Sequence, residues 1–311
     1  MQRMMGQFDN AIKNYREYKK RKSASDLSHD VESAIKSCEM YKDFDAEESR
    51  FVIKCEVKLN KKEFDMAPSF IDKKGVSLVF GTSREDITST ARDPITGEKF
   101  MDLWTAEFDA KGALINFKSI DNNNLINTAD NEGTGCMDSK FKTLYFTRCP
   151  TKAKFNLGCD IWKADKLGDE WENVSKITLK TNDTISVGHP CITSDGMMLI
   201  FASDMPGGMG GRDLWYVMYD KKNKVWDSIP KNMGKDINTT GNELFPSMGP
   251  NGKLYFASDG HPGIGGLDIF YAKRTNEENT KDNPAKWGFA TNMMYPINST
   301  ANDYAMADFD G

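Results

Sequence analysis

Short apolar runs return along this chain at a regular interval, clearest in Leu199-Ile200-Phe201 and Leu254-Tyr255-Phe256. Runs this short, bounded by polar and glycine-rich stretches, predict strands buried on both faces. The aromatic that closes each run stands at Phe80, Phe146, Phe201 and Phe256, in steps of 66, 55 and 55 residues. Downstream of each comes an Asp, an aliphatic and an aromatic residue: Asp102-Leu103-Trp104, Asp160-Ile161-Trp162, Asp213-Leu214-Trp215 and Asp268-Ile269-Phe270. This triplet predicts a third strand. Asp195-Gly196 and Asn251-Gly252 predict hairpin turns with positive φ at both central positions, and Trp171, Trp226 and Trp287 mark the approach to a fourth strand. The fold class expected is mainly β: a β-propeller of four-stranded blades, with four complete units visible.

Between units runs a second phrase, Ile-Asn-Thr/Ser-x-x-Asn-Glu/Asp, over 126–132, 237–243 and 297–303, degenerate before the third unit. A fifth unit is expected to begin at Tyr304 and to break off in a hairpin, which reads as a fragment of a longer protein. Residues 50–57 are expected to supply an outer strand that closes the ring with the last blade. The first unit carries an insertion from Thr82 to Lys99. Residues 1–45 lack strand signals; Phe8, Ile12, Tyr15 and Tyr18 fall at helical spacing, and Val31, Ile35 and Cys38 predict a second helix capped by Ser28. The expected division is a helical segment, 1–45, ahead of a propeller, 46–311. Gly6-x-Phe8-x-x-Ala11-Ile12-x-x-Tyr15 resembles one end of a tetratricopeptide repeat, which cannot bury its own face and must pack on a neighbour.

The net charge of −5, without a basic stripe, argues against a nucleic-acid partner. Six cysteines lie outside any zinc spacing, so neither metal nor cofactor is expected. Cys149 and Cys159 flank one loop within bridging reach; buried free thiols are the alternative. Of three histidines, His189 and His261 precede prolines in repeat positions, leaving none spare for a nucleophile system. Pro206 to Gly211 lacks the Lys-Ser/Thr of a phosphate loop, and the recurrent Asp reads as an acceptor for backbone donors at a strand start. No catalytic residue is expected.

In a propeller, the connection into each blade and the one between its second and third strands share a face. That face is expected to carry Asn131, Glu132, His189, Asn242, Glu243, His261, Asn302 and Asp303, as partner-binding groups or as closers of their own turns. The wording from Asn242 to Phe270 resembles the TolB-type, WD-like propeller repeats of bacterial envelope proteins. Within these it is similar to a Bacteroidota subgroup in which tetratricopeptide repeats precede the propeller and an OmpA-like domain follows. The resemblance implies a ring of six blades and a non-enzymatic scaffold in the periplasm, associated with the outer membrane, whose partners are envelope proteins of a type IX secretion or gliding-motility complex. It implies peptidoglycan contact only through an OmpA-like domain, and membrane contact only through a lipid anchor, neither of which these residues hold. A carbohydrate-binding or glycan-processing propeller is the alternative.

Overall fold

The repeat folds as four antiparallel sheets around one axis. The computed structural model describes residues 2–21, 29–42, 51–60, 62–84, 87–88, 92, 97–151 and 157–309. Blade 1 comprises β1 (Asp65–Phe70), β2 (Ser77–Thr82), β3 (Asp102–Phe108) and β4 (Leu114–Ser119). Blade 2 comprises β5 (Asn131–Met137), β6 (Thr143–Cys149), β7 (Asp160–Leu167) and β8 (Glu170–Lys176). Blade 3 has β9 (Val187–Ile192), β10 (Met198–Ser203) and β11 (Asp213–Asp220), with two short outer pieces, β12 (Val225–Trp226) and β13 (Lys231–Asn232), both paired to β11. Blade 4 comprises β14 (Glu243–Met248), β15 (Leu254–Ser258), β16 (Asp268–Ala272) and β17 (Thr291–Asn292). Four blades are thus described, the four units that the repeat displays and not the six expected.

Each periodic aromatic sits opposite the aromatic of its own third strand: Phe80 with Trp104, Phe146 with Trp162, Phe201 with Trp215 and Phe256 with Phe270. The second strands are buried along their length because both of their faces meet sheets. Val79 and Leu103 of blade 1 pack on Leu144 and Phe146 of blade 2, and Tyr145 and Ile161 of blade 2 on Leu199 and Phe201 of blade 3. Met198, Ile200 and Leu214 of blade 3 pack in turn on Leu254 and Phe256 of blade 4. Such stacking removes apolar surface at every blade boundary, worth roughly 25 cal/mol per Å².

Blade 4 meets blade 1 differently. A small cluster of Ala67, Phe245 and Ala257 joins them, and residues 304–309 lie along the seam. Ser247 Oγ donates to Met306 O (2.6 Å), Tyr255 Oη donates to Asp308 Oδ2 (2.8 Å), and the Phe309 ring packs on Phe70 at 4.9 Å.

The expected closing strand over 50–57 does not form. Residues 51–56 carry no strand, with Val52 83% exposed, and the outer position of blade 4 is taken by its own β17. The hairpin turns also differ. Thr193 N donates to Met198 O and Gly196 N to Thr193 O, so the loop is longer than two residues and only Gly196, at φ 69°, is left-handed. Gly252, at φ 70°, ends a 3₁₀ turn over Pro250–Gly252.

Ahead of the strands stand α1 (Phe8–Arg21) and α2 (His29–Lys42), joined through Ala11, Ile12 and Cys38. Tyr18 of the expected stripe is exposed instead, at 45%. The pair docks on the loop between β15 and β16: Arg3 Nη2 donates to Gly265 O, Ser33 Oγ to Gly260 O, and Gly263 N to Ser37 Oγ. Ser28, the acidic residues 45–48 and much of the Thr82–Lys99 insertion lie outside the described residues.

Candidate functional site

Every inner strand bulges at one equivalent position. The register shifts between Met66 and Ser69 in β1, Gly133 and Gly135 in β5, and Leu244 and Ser247 in β14; in β9 the shift spans Gly188 to Cys191. The residue at the bulge is left-handed although none is glycine: Ala67 (φ 52°), Thr134 (39°), His189 (55°) and Phe245 (51°). Bulges re-aim side chains, and these four converge around the axis. In three blades the next residue is proline, which cannot donate to a ladder and is tolerated in a strand at a bulge.

His189 and Phe245 form the centre of this layer. Their rings stack at 4.0 Å between centroids and 13° between planes, and Phe245 N donates to His189 Nδ1 at 3.2 Å. His189 N donates to Thr147 Oγ1 (2.8 Å), which also bonds Thr134 Oγ1 (2.7 Å). Burial, and next the Arg212 charge, push the imidazole pKa down to about 3. The ring is therefore neutral, and with Nδ1 accepting, its proton sits on Nε2. Cavities lie on both sides of the layer. The larger, about 340 Å³, is lined by inner-strand residues of all four blades and by residues 305–309; the smaller, about 160 Å³, reaches Arg212, Asn131 and the Cys149–Cys159 bridge.

The phrase between units is a clasp from blade to blade. Asn127, Asn238 and Asn298 accept from the backbone N–H of Leu103, Leu214 and Ile269, and their side-chain amides donate to the carbonyls of those same residues. Asn131, Asn242 and Asn302 accept from the N–H of Met101, Arg212 and Leu267, the residues just before the third-strand Asp. Glu132, Glu243 and Asp303 complete the set, donating backbone N–H to the carbonyls of those residues. In the degenerate phrase, Ser186 Oγ replaces the asparagine toward Cys159 N, and Lys180 Nζ bonds the carbonyls of Gly158, Cys159 and Ile185.

The side chains expected on the face are thus mostly spent on the ring. Glu132 and Glu243 are 0% exposed. Glu132 accepts from Thr128 N and Oγ1 and pairs with Arg148 at 2.7 Å; Glu243 accepts from Thr239 N, Thr239 Oγ1 and Ser258 Oγ. Burial raises both carboxyls, Glu243 to about 7. Asp303 is more exposed and accepts from Ser299 N and Oγ. Asn242 also donates to Asp259, and Asn302 to Tyr304 Oη. A ring nitrogen of His261 lies 2.8 Å from Ile237 O and its ring packs on Phe270; burial lowers its pKa. Of the eight, the structure brings His189 and Asn131 to one cavity.

The recurrent Asp accepts loop donors as read from the sequence: Asp213 from Met209 N and Gly210 N, and Asp268 from Ile264 N and Gly265 N. Asp160 instead pairs with Lys180 at 3.2 Å. Cys149 and Cys159 form a disulfide, while Cys38, Cys55, Cys136 and Cys191 are free. Sequence reasoning missed the axial layer. Its signal was Ala67-Pro68, His189-Pro190 and Phe245-Pro246 inside predicted strands, since an internal proline marks a bulge. Arg212 carried no signal beyond standing where other blades have Met101, Cys159 and Leu267.

No family model matches the chain, and no curated protein matches its sequence. Among solved structures it is similar to TolB from Acinetobacter baumannii, at 15% identity and TM-score 0.36, covering 68% of this chain and 41% of that one. It is similar also to an α-L-arabinofuranosidase from Lactobacillus brevis, at 10% identity and TM-score 0.46, covering 72% of each. A third is the β-propeller domain of the Trilobed protease from Pyrococcus furiosus, at 12% identity and TM-score 0.35, covering 80% of this chain and 61% of that domain. The chain therefore spans less than half the length of that TolB. Likeness at these identities concerns the propeller fold alone.

Proposed function

We propose that this chain is a non-enzymatic docking propeller of the bacterial envelope, holding proteins of an outer-membrane secretion or motility assembly. One observation carries the reading: the segment 305–309, which forms no strand of its own, already lines the larger axial cavity along the seam between blades 4 and 1, with Met306 O and Asp308 Oδ2 bonded to blade 4 and Phe309 packed on blade 1. A ring that holds a peptide segment by side-chain hydrogen bonds and apolar contact has the chemistry of a peptide-docking module. Placement in the periplasm is supported by the Cys149–Cys159 disulfide, which persists in oxidising compartments.

The glycan-processing alternative calls for aromatic platforms beside an acidic pair. Trp104 and Trp215 are instead packed inside blades, at 7% and 6% exposure, and Glu132 and Glu243 close turns. The test is affinity purification of the tagged protein from gently solubilised envelopes after brief cross-linking. Stable recovery with envelope proteins is expected; a free monomer overturns the docking reading, and turnover of a glycan or peptide by the purified chain overturns the non-enzymatic one.

A further inference from the structure

Arg212 differs from the other buried or half-buried arginines of the propeller. Arg148 pairs with Glu132 at 2.7 Å, Arg84 with Asp65 at 3.2 Å, and the half-buried Arg274 guanidinium donates to the carbonyls of Asn276, Glu277 and Glu278, whereas the half-buried Arg212 side chain has neither an acidic partner nor a carbonyl acceptor among the described residues. It lines the smaller axial cavity, and no carboxylate lines that cavity with it. Its backbone, not its side chain, serves the clasp, through Asn242 Oδ1 and Glu243 N. Its nitrogens are not sealed from solvent, so an anion can reach them, and a half-desolvated guanidinium without a counter-charge gains by taking one.

Two further side chains with a donor to spare line the same cavity. His189 Nδ1 is held as an acceptor by Phe245 N, which leaves Nε2–H as the ring's donor. Asn131 Oδ1 is held by Met101 N, which leaves its side-chain amide hydrogens. Met66, Met101, Ala202 and Phe245 give the cavity an apolar wall, beside the hydroxyls of Thr134, Thr147 and Ser186.

We propose that this cavity is a carboxylate-binding site, in which Arg212 pairs with the carboxylate while His189 Nε2–H and the Asn131 amide donate to it. Guanidinium and carboxylate match as a planar two-point pair. The volume of about 160 Å³ and the apolar wall suit a short acidic side chain with its methylene stem. Assigning that side chain to an extended partner peptide rests on the docking reading; the carboxylate chemistry itself does not.

The test titrates the full chain with three probes: acetyl-Gly-Glu-Gly-amide, its Gln isostere, and free glutarate. Binding is followed by calorimetry and by the ring nitrogen resonances of His189. The Glu peptide is expected to bind at least about 10-fold more tightly than the Gln peptide, as loss of a charge-assisted bond implies. It should also move the His189 ring signals. Arg212→Gln should abolish this preference with the Tm unchanged, and Arg212→Lys should keep part of it. Equal binding of the Glu and Gln peptides, or an unaltered preference in Arg212→Gln, overturns the site. Glutarate binding without peptide binding upholds the carboxylate site and overturns the peptide source, and with it the docking reading. If Arg212→Gln does not fold, the isostere comparison and the His189 signals in the unmodified protein decide: preference with shifts upholds the site, and absence of either overturns it.

Discussion

Asn127 and Leu103 are joined twice, Leu103 N donating to Asn127 Oδ1 at 2.8 Å and Asn127 Nδ2 donating to Leu103 O at 2.9 Å. The side-chain amide thereby imitates a strand partner, satisfying the buried Leu103 N–H and joining Ile120 N at the Leu103 carbonyl. Asn238 does the same for Leu214, and its amide also donates to Asn232. Asn238→Ala therefore leaves Leu214 N buried and unpaired, while Leu214 O keeps the N–H of Met233. A loss of about 1–3 kcal/mol is expected, measured as the shift in urea midpoint at constant slope.

The glycine loops answer to closeness rather than to a ligand. A Cβ on Gly210 would collide with the carbonyl oxygens of Thr239 and Gly241, and one on Gly265 with those of Ser299 and Ala301. These loops lie directly under the connection into the next blade, where Gly211 N donates to Gly241 O and Gly266 N to Ala301 O. Gly210→Ala should lower stability by about 1–3 kcal/mol through overpacking. Gly234→Ala is the contrast: no atom lies near its Cβ, and only the strain of its positive φ acts.

Most of the fold was legible because its signals are local. Phe80, Phe146, Phe201 and Phe256 fill equivalent places, and the Asp of each triplet begins a third strand. Nothing local distinguishes Asn127 as a clasp from Asn131 as a face residue, because each acquires its role from a strand some 25 to 30 residues away. The candidate site was still less legible. Ala67, Thr134, His189 and Phe245 share no chemistry and are related only by a backbone bulge, and Arg212 is singled out by a counter-charge that three-dimensional packing fails to supply.

Thiol chemistry gives a direct check on the Cys149–Cys159 bridge. Iodoacetamide on the folded protein without reductant should label the exposed Cys55 readily, with Cys38 and Cys191 protected by burial. Burial raises the Cys191 thiol to about 12, further suppressing its thiolate. Unfolding without reductant should expose four reactive thiols, and reduction six. The Cys149→Ser, Cys159→Ser double variant should be less stable by about 3 kcal/mol, the loop-closure value for a bridge of this span. Six reactive thiols in the unreduced, unfolded protein would refute the pairing.

Glu243 turns a buried turn into a pH dependence. Burial is the main cause that holds its carboxyl near pH 7 in the folded protein, against an ordinary value of 4.5, and Asp213 adds to it. Below pH 4.5 both states carry the proton, so the group is neutral in its effect. Between 4.5 and 7 the unfolded chain releases the proton while the folded one keeps it, so stability falls as pH rises. Above 7 the loss is complete, at about 3 kcal/mol for a shift of this size. Glu132 and Asp268 are also raised, mainly by burial, and act with the same sign, so the contribution must be isolated by substitution. Glu243→Gln keeps an oxygen for Thr239 N, turns its amide toward the Thr239 and Ser258 hydroxyls, which can accept, and cannot ionise. Its urea midpoint should decline less than that of the unmodified protein between pH 5 and 8, and at pH 8 it should be the more stable of the two. Parallel pH profiles would show that Glu243 is ionised in the fold throughout this range, and the raised carboxyl would have to be abandoned.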